Sequence, residues 1–317
     1  MTELILALDF GGTKHTAGLI GRGETEFRAR RQVISPANAD GDYDLRTMLG
    51  LGHELLGGAQ PAAVGVSFGG PVDYDTGTVK LSHHIPGWEN RPLRQIITAE
   101  FGAPTNVDND ANVAAVGEHR FGAGRGCASL LYITVSTGVG GGWILNNRSW
   151  RGRDSMAGEF GHIMVDPLGP LCVCGSHGCV ERLASGPYIG RRAREWLAVQ
   201  PERGAILRRL VDDDLNAVDG KVVAEAAAQG DELAWESLAV SARALGQAIG
   251  SVANLINPER FVLGGGVTKS GERYWDLLRA TARAAAMPEV SYEVVPAGLG
   301  DYAPLWGAVA IADEPPA

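Results

Sequence analysis

Short apolar runs broken by glycine clusters set the rhythm of the chain. Residues 4–8 form a run of strand length that breaks at Asp9-Phe10-Gly11-Gly12-Thr13-Lys14 and resumes over 16–20. This pattern predicts a hairpin with a glycine turn at its tip. Residues 129–135 repeat it: an apolar strand, then Ser136-Thr137-Gly138 and further glycines, then resumption over 143–145. Two copies of strand, glycine-and-threonine turn and strand predict two related halves sharing a ligand. A third strand, 261–263, enters Gly264-Gly265-Gly266. Residues 63–68 read as a strand ending in Gly69-Gly70-Pro71, and 105–107 as a short strand ending in Asp108-Asn109-Asp110.

Helical spacing marks other stretches. Leu45, Met48, Leu49, Leu55 and Leu56 share a face over 44–56; Leu93, Ile96, Ile97 and Phe101 do so over 91–101. Further helices are predicted over 185–199, 201–211, 231–256, 274–286 and 304–312, with Asn257-Pro258 stopping the longest. A strand is predicted over 292–295.

Composition narrows the function classes. With 317 residues and 45% hydrophobic content, the chain can form two domains with their own cores. A net charge of −9 without a basic cluster argues against nucleic acid and anionic membranes as partners. Anionic small substrates remain open, because backbone amides and a bound cation can supply positive field. No apolar run approaches the ~20 residues of a membrane span. The N-terminus enters the first strand with no charged leader, and the cysteines lack a disulfide scatter, which points to the cytoplasm.

The strongest chemical signal lies between Gly158 and Glu181. Three of the four cysteines, Cys172, Cys174 and Cys179, fall within eight residues, and His162 precedes them by ten. Three thiols and one imidazole suit a closed, structural tetrahedral zinc site. His177, inside the loop, is an alternative fourth ligand. Glu159 and Glu181 flank the set; a rigid loop would fix both carboxylates for a polyhydroxylated ligand, each accepting two hydroxyl hydrogen bonds. As lone surface residues they would simply be solvated.

The other candidates sit at strand ends. Glycines beside Asp9 and Thr13 let backbone N–H groups approach a phosphate, and the carboxylate can hold its magnesium. Asp110 reads as a general base at a helix N-terminus with Asn109 as a ligand contact, although plain capping explains the same residues. The Gly264–Gly266 turn can pack under an adenine or simply link a strand to a helix. Neither glycine turn is a Walker A loop, and neither completes the dinucleotide fingerprint.

Together, D-F-G-G-T, N-D-A-N, S-T-G-V-G-G-G and E-F-G-H followed by C-V-C-G-S-H-G-C-V-E resemble the ROK family of bacterial sugar kinases and repressors, most strongly its actinobacterial-type glucokinases. The resemblance runs from Leu6 to the C-terminal helix. It implies an actin/hexokinase-like (ribonuclease H-like) α/β fold of two domains with an interdomain cleft, here residues 1–118 plus 301–317 and residues 119–300. It implies zinc on His162, Cys172, Cys174 and Cys179, choosing His162 over His177. It implies sugar contacts at Gly70, Asn109, Asp110, Glu159, His162 and Glu181, with Asp110 as the base. Phosphates and nucleotide fall on Gly11, Gly12, Thr13, Lys14, Thr137, Gly138 and Gly265, with magnesium near Asp9. The family's repressors carry an N-terminal helix-turn-helix; here the first strand starts at once, so that module is expected to be absent. Relatives commonly have glutamate where this chain has Asp108, a change expected to leave the chemistry alone.

The function implied is an ATP-dependent hexose kinase, a glucokinase. Alternatives are an N-acetylmannosamine or N-acetylglucosamine kinase, a fructokinase, or a non-catalytic sugar-binding regulator. Polyphosphate is the alternative donor, and a homodimer or homotetramer is the expected assembly.

Overall fold

The protein is described by a computed structural model over residues 2–82 and 85–314. The chain runs β1 (Leu4–Phe10), β2 (Lys14–Gly21), β3 (Ala29–Ile34), α1 (Gly41–Leu56), β4 (Ala63–Phe68), β5 (Val72–Asp73), β6 (Thr78–Val79), α2 (Leu93–Phe101), β7 (Thr105–Asn109) and α3 (Asp110–Phe121). It continues β8 (Leu130–Val135), β9 (Val139–Leu145), β10 (Arg148–Trp150), α4 (Val180–Ala184), α5 (Gly186–Val199), α6 (Ala205–Leu210), α7 (Gly220–Ala228) and α8 (Glu232–Ile256). It ends with β11 (Arg260–Gly264), α9 (Glu272–Ala285), β12 (Glu293–Pro296) and α10 (Ala303–Ala312).

Two compact units result. The first holds Met1–Ala128, Gly142–Ala157 and Ala297–Ala317; the second holds Ser129–Gly141 and Gly158–Pro296. The expected ranges differ chiefly in residues 142–157, which pack with the first unit. Residues 1, 83, 84 and 315–317 of the expected first range lie outside the described residues.

The sheet of the first unit has the order β3-β2-β1-β4-β7. β1, β4 and β7 run parallel, whereas β2 and β3 fold back antiparallel. Leu6, Leu8, Val64, Val66 and Val107 form its apolar interior with Met48 and Leu51 of α1 and Leu93 and Ile97 of α2. Alternate residues of a strand face opposite ways, so a sheet buried on both faces needs apolar residues throughout, as β4 shows. The opposite face takes α10 and α3. A Cβ at Gly65 would fall 1.7 Å from the Ala308 carbonyl oxygen, and one at Gly307 would fall 1.8 Å from that of Val113. Only hydrogen fits at either position, so α10 lies unusually close to both the sheet and α3.

The second sheet, β10-β9-β8-β11-β12, repeats that order strand for strand. This matches the two related halves expected from the repeated glycine hairpin. α8 packs against α9, α7 and α4. Among the described residues, no helix is long and apolar enough to cross a membrane.

Four elements carry too little pattern to be predicted. β3 is an edge strand of sequence Ala-Arg-Arg-Gln-Val-Ile whose residues stay exposed or half-buried. Charged residues on an edge discourage pairing with other chains and erase the alternation that marks a strand. β10 has three residues, and α4 has five. α7 buries only Val223 and Ala226. The helix predicted over 201–211 shortens to α6, entered through Gly204 in a left-handed conformation.

Candidate active site and metal centre

Ligands of parallel α/β sheets gather at the carboxyl ends of the strands. In the first unit three such ends lie side by side. Asp9 of β1 stands in register with Ser67 of β4, which stands in register with Asp108 of β7. Ser67 Oγ donates to Asp9 Oδ1 at 2.8 Å, and Gly69 N donates to Phe10 O at 2.9 Å. Asn109 caps α3, its Oδ1 accepting from Ala111 N at 3.0 Å and Asn112 N at 3.4 Å. The capping explanation therefore holds for Asn109, yet its Nδ2 also donates to Gly70 O at 3.0 Å. The turns after β4 and β7 are thereby joined.

Asp110 opens α3, and its Oδ1 accepts from Ala111 N at 2.8 Å. A Cβ on Gly69 would lie 3.9 Å from Asp110 Oδ2. A helix N-terminus and an amide hydrogen bond both favour the ionised carboxylate. Burial and the negative charge of Asp9 outweigh them and push Asp110 up to about 7. Burial also raises Asp9 to about 6, against the lowering effects of Ser67, Lys14 and His15. Two neighbouring acids that resist ionising together suit a proton acceptor beside a site for a divalent cation. Gly12 and Thr13 are exposed in the turn that follows Asp9, and Lys14 opens β2.

The second unit has its own glycine turns at strand ends. Ser136 N donates to Gly138 O at 2.9 Å, and Gly186 N, opening α5, donates to Ser136 O at 2.8 Å. Gly265, at φ 92°, would place a Cβ 2.3 Å from Val135 O. The turn holding Thr137 and Gly138, the start of α5 and the turn holding Gly265 are thus adjacent. Glu181 joins them, its Oε2 accepting from Val139 N at 2.9 Å.

His162, Cys172, Cys174 and Cys179 offer four ligand atoms, all within 4.8 Å of one another. Cys174 Sγ and Cys179 Sγ are 3.6 Å apart; Cys172 Sγ and His162 Nδ1 are 3.8 Å apart. A tetrahedral zinc with bonds of about 2.3 Å to sulfur requires edges of about 3.8 Å, so the donor set fits. His177 is not in the cluster; its Nδ1 pairs with the Gly169 carbonyl oxygen at 2.9 Å. The loop is closed by Cys172 N donating to Ser176 O at 2.7 Å and by Val165 N donating to Gly178 O at 3.0 Å. With Nδ1 facing the thiols, the His162 Nε2 lies 3.9 Å from Glu159 Oε2. Cys179 stands at the N-cap position of α4 without a side-chain capping bond, and Glu181 lies in the first turn of that helix.

Two buried partners of the strand-end acids escaped the sequence reading. Ser67, a plain strand residue, proves to be the Asp9 partner. Arg151 pairs with Asp108 at 2.6 Å across 43 residues, where no local pattern links them.

Paired sheets of one strand order, with acids and glycine turns at their carboxyl ends, define an actin/hexokinase-like α/β protein. The chain belongs to the ROK family, whose model matches residues 5–314. It is 35% identical over 319 residues to a glucokinase of Streptomyces coelicolor, covering 98% of each chain. It is similar to the crystal structure of a ROK family glucokinase from Streptomyces griseus in complex with glucose and AMPPNP, with 38% identity, a TM-score of 0.83, and coverage of 98% of this chain and 99% of that one. A ROK hexokinase structure from Thermus thermophilus shares 32% identity and a TM-score of 0.81, covering 98% of this chain and 97% of that one.

Proposed function

We propose that this chain is an ATP-dependent hexose kinase that phosphorylates glucose at the 6-hydroxyl. The observation that carries the reading is Asp110: a carboxylate raised to about 7, at a helix N-terminus, beside a second buried acid and a glycine turn. Phosphoryl transfer asks mainly for positioning and charge neutralisation. Asp110 accepts the proton of the attacking hydroxyl. Gly70 and Asn109 beside it, and Glu159, His162 and Glu181 around the metal loop, hold the sugar hydroxyls. Gly11, Gly12, Thr13 and Lys14, with Thr137 and Gly138, take the phosphates, and Gly265 lies under the adenine. Magnesium at Asp9 supplies neutralising charge to the phosphates. His162, Cys172, Cys174 and Cys179 would hold a zinc ion, which would fix the His162 ring through Nδ1 and leave Nε2 free for a sugar hydroxyl. A coupled assay of the purified protein with ATP, magnesium and a panel of hexoses tests the assignment; absence of ATP-dependent phosphorylation of any hexose overturns it.

The pH profile follows from the base. Asp110 must be ionised to accept a proton, so activity belongs above its pKa and is lost as pH falls through it. kcat/KM for glucose is expected to fall with an acid limb near pH 7, the apparent value belonging to the Asp9–Asp110 pair. A profile flat down to pH 5 contradicts a raised base.

Substrate choice rests on Glu159. A carboxylate accepts from two hydroxyls but offers no donor to an acetamido carbonyl. Glucose is expected to be preferred over N-acetylmannosamine by at least roughly 10²-fold in kcat/KM. Competition kinetics with both sugars measures this; equal use of the acetamido sugar moves the assignment to that kinase.

A further inference from the structure

We propose that Arg151 and Asp108 are a positioning pair for Asp110, tethering the first turn of α3 so that the base keeps its attitude. The inference rests on Asp110 being the base. Asp108 is 0% exposed and is the next-to-last residue of β7, the strand that leads into the base. Its Oδ1 accepts from Asn109 N at 2.8 Å and from Asn112 Nδ2 at 3.2 Å. Asp110 therefore sits between two residues gripped by one carboxylate. The other oxygen accepts from Arg151 Nε at 2.6 Å.

Arg151 is itself held from several sides. Its guanidinium lies 3.4 Å from the centroid of the Tyr74 ring, and Nη2 lies 3.7 Å from Glu314 Oε2. Tyr74 OH donates to that same Glu314 oxygen at 3.2 Å, and Tyr74 N donates to Ser155 Oγ at 3.2 Å. A guanidinium stacked on a ring and aimed at a carboxylate has little freedom, so the carboxylate gains a fixed anchor.

Stability alone does not account for the arrangement. A buried ion pair is often no better for stability than two apolar residues of similar size, because desolvation offsets the attraction. What the pair adds is geometry, two residues before the base. A displacement of about 1 Å at a reacting group can cost about 10²-fold in rate.

The test removes both charges together, since removing one leaves a buried unpaired ion. The variant Asp108→Asn with Arg151→Met is expected to fold and bind glucose, with kcat per folded molecule down about 10–10²-fold and KM for ATP unchanged. Arg151→Lys, which keeps the charge without the stacked plane, is expected to recover part of the loss. In an Asp110→Asn background the same two changes are expected to alter the residual turnover by less than about 2-fold, because the partner they act through is gone. Unchanged kcat in the double variant, or an equal proportional loss in the Asp110→Asn background, overturns the proposal. Should the double variant fail to fold, Arg151→Lys measured in both backgrounds decides by the same criterion. Near-native turnover of Asp110→Asn alone is a separate result: it removes the base assignment and the positioning role with it.

Discussion

Asp110→Asn is expected to reduce turnover by at least ~10²–10⁴-fold while glucose still binds. The amide matches the carboxylate in shape and can still accept from Ala111 N, so the first turn of α3 keeps its form. It cannot take a proton. The raised pKa makes the native carboxylate a stronger base than an ordinary aspartate, so the loss belongs in kcat rather than in sugar affinity. Calorimetry with glucose, run beside the turnover assay, separates the two. Near-native turnover would leave Asp110 as a helix-end contact only.

The second large effect concerns the metal loop. Protein purified without added zinc is expected to carry about one zinc per chain. Cys179→Ser is expected to lose that metal and about 4–5 kcal/mol of stability, a fall in Tm of about 8–20 °C for a unit of this size. Cys179 is fully buried and directly precedes the helix that carries Glu181, so the damage is expected to reach the proposed sugar contacts as well. His162 loses its anchor in the same event. kcat/KM for glucose should therefore fall more than KM for ATP rises. A metal-free wild-type protein with unchanged Tm and full activity would falsify the zinc site.

The metal loop was legible because cysteine is rare in this chain and three of its four copies cluster. The glycine turns were legible because they punctuate apolar runs, and their repetition foretold the shared strand order of the two sheets. Which histidine would complete the metal set was not settled by spacing, since His162 and His177 both suit it; in the fold His162 lies with the three cysteines, and His177 faces the Gly169 carbonyl. β3 stayed hidden because an edge strand with no fully buried residue has no pattern to show. The Asp108–Arg151 pair stayed hidden for another reason. A lone aspartate and a lone arginine 43 residues apart announce nothing, and only tertiary contact reveals that they form one buried unit.

The close seating of α10 sets a timetable for synthesis. The helix fills the space between β4 and α3, with hydrogen-only contacts at Gly65 and Gly307. About 180 residues separate the end of α3 from the start of α10. At roughly 5–20 residues per second a ribosome needs about 10–40 s to bridge that gap. Throughout it the sheet and α3 wait with their shared seat open, while the second unit, complete at Pro296, can emerge and close first. The half that carries Asp110 is begun first on the ribosome and finished last.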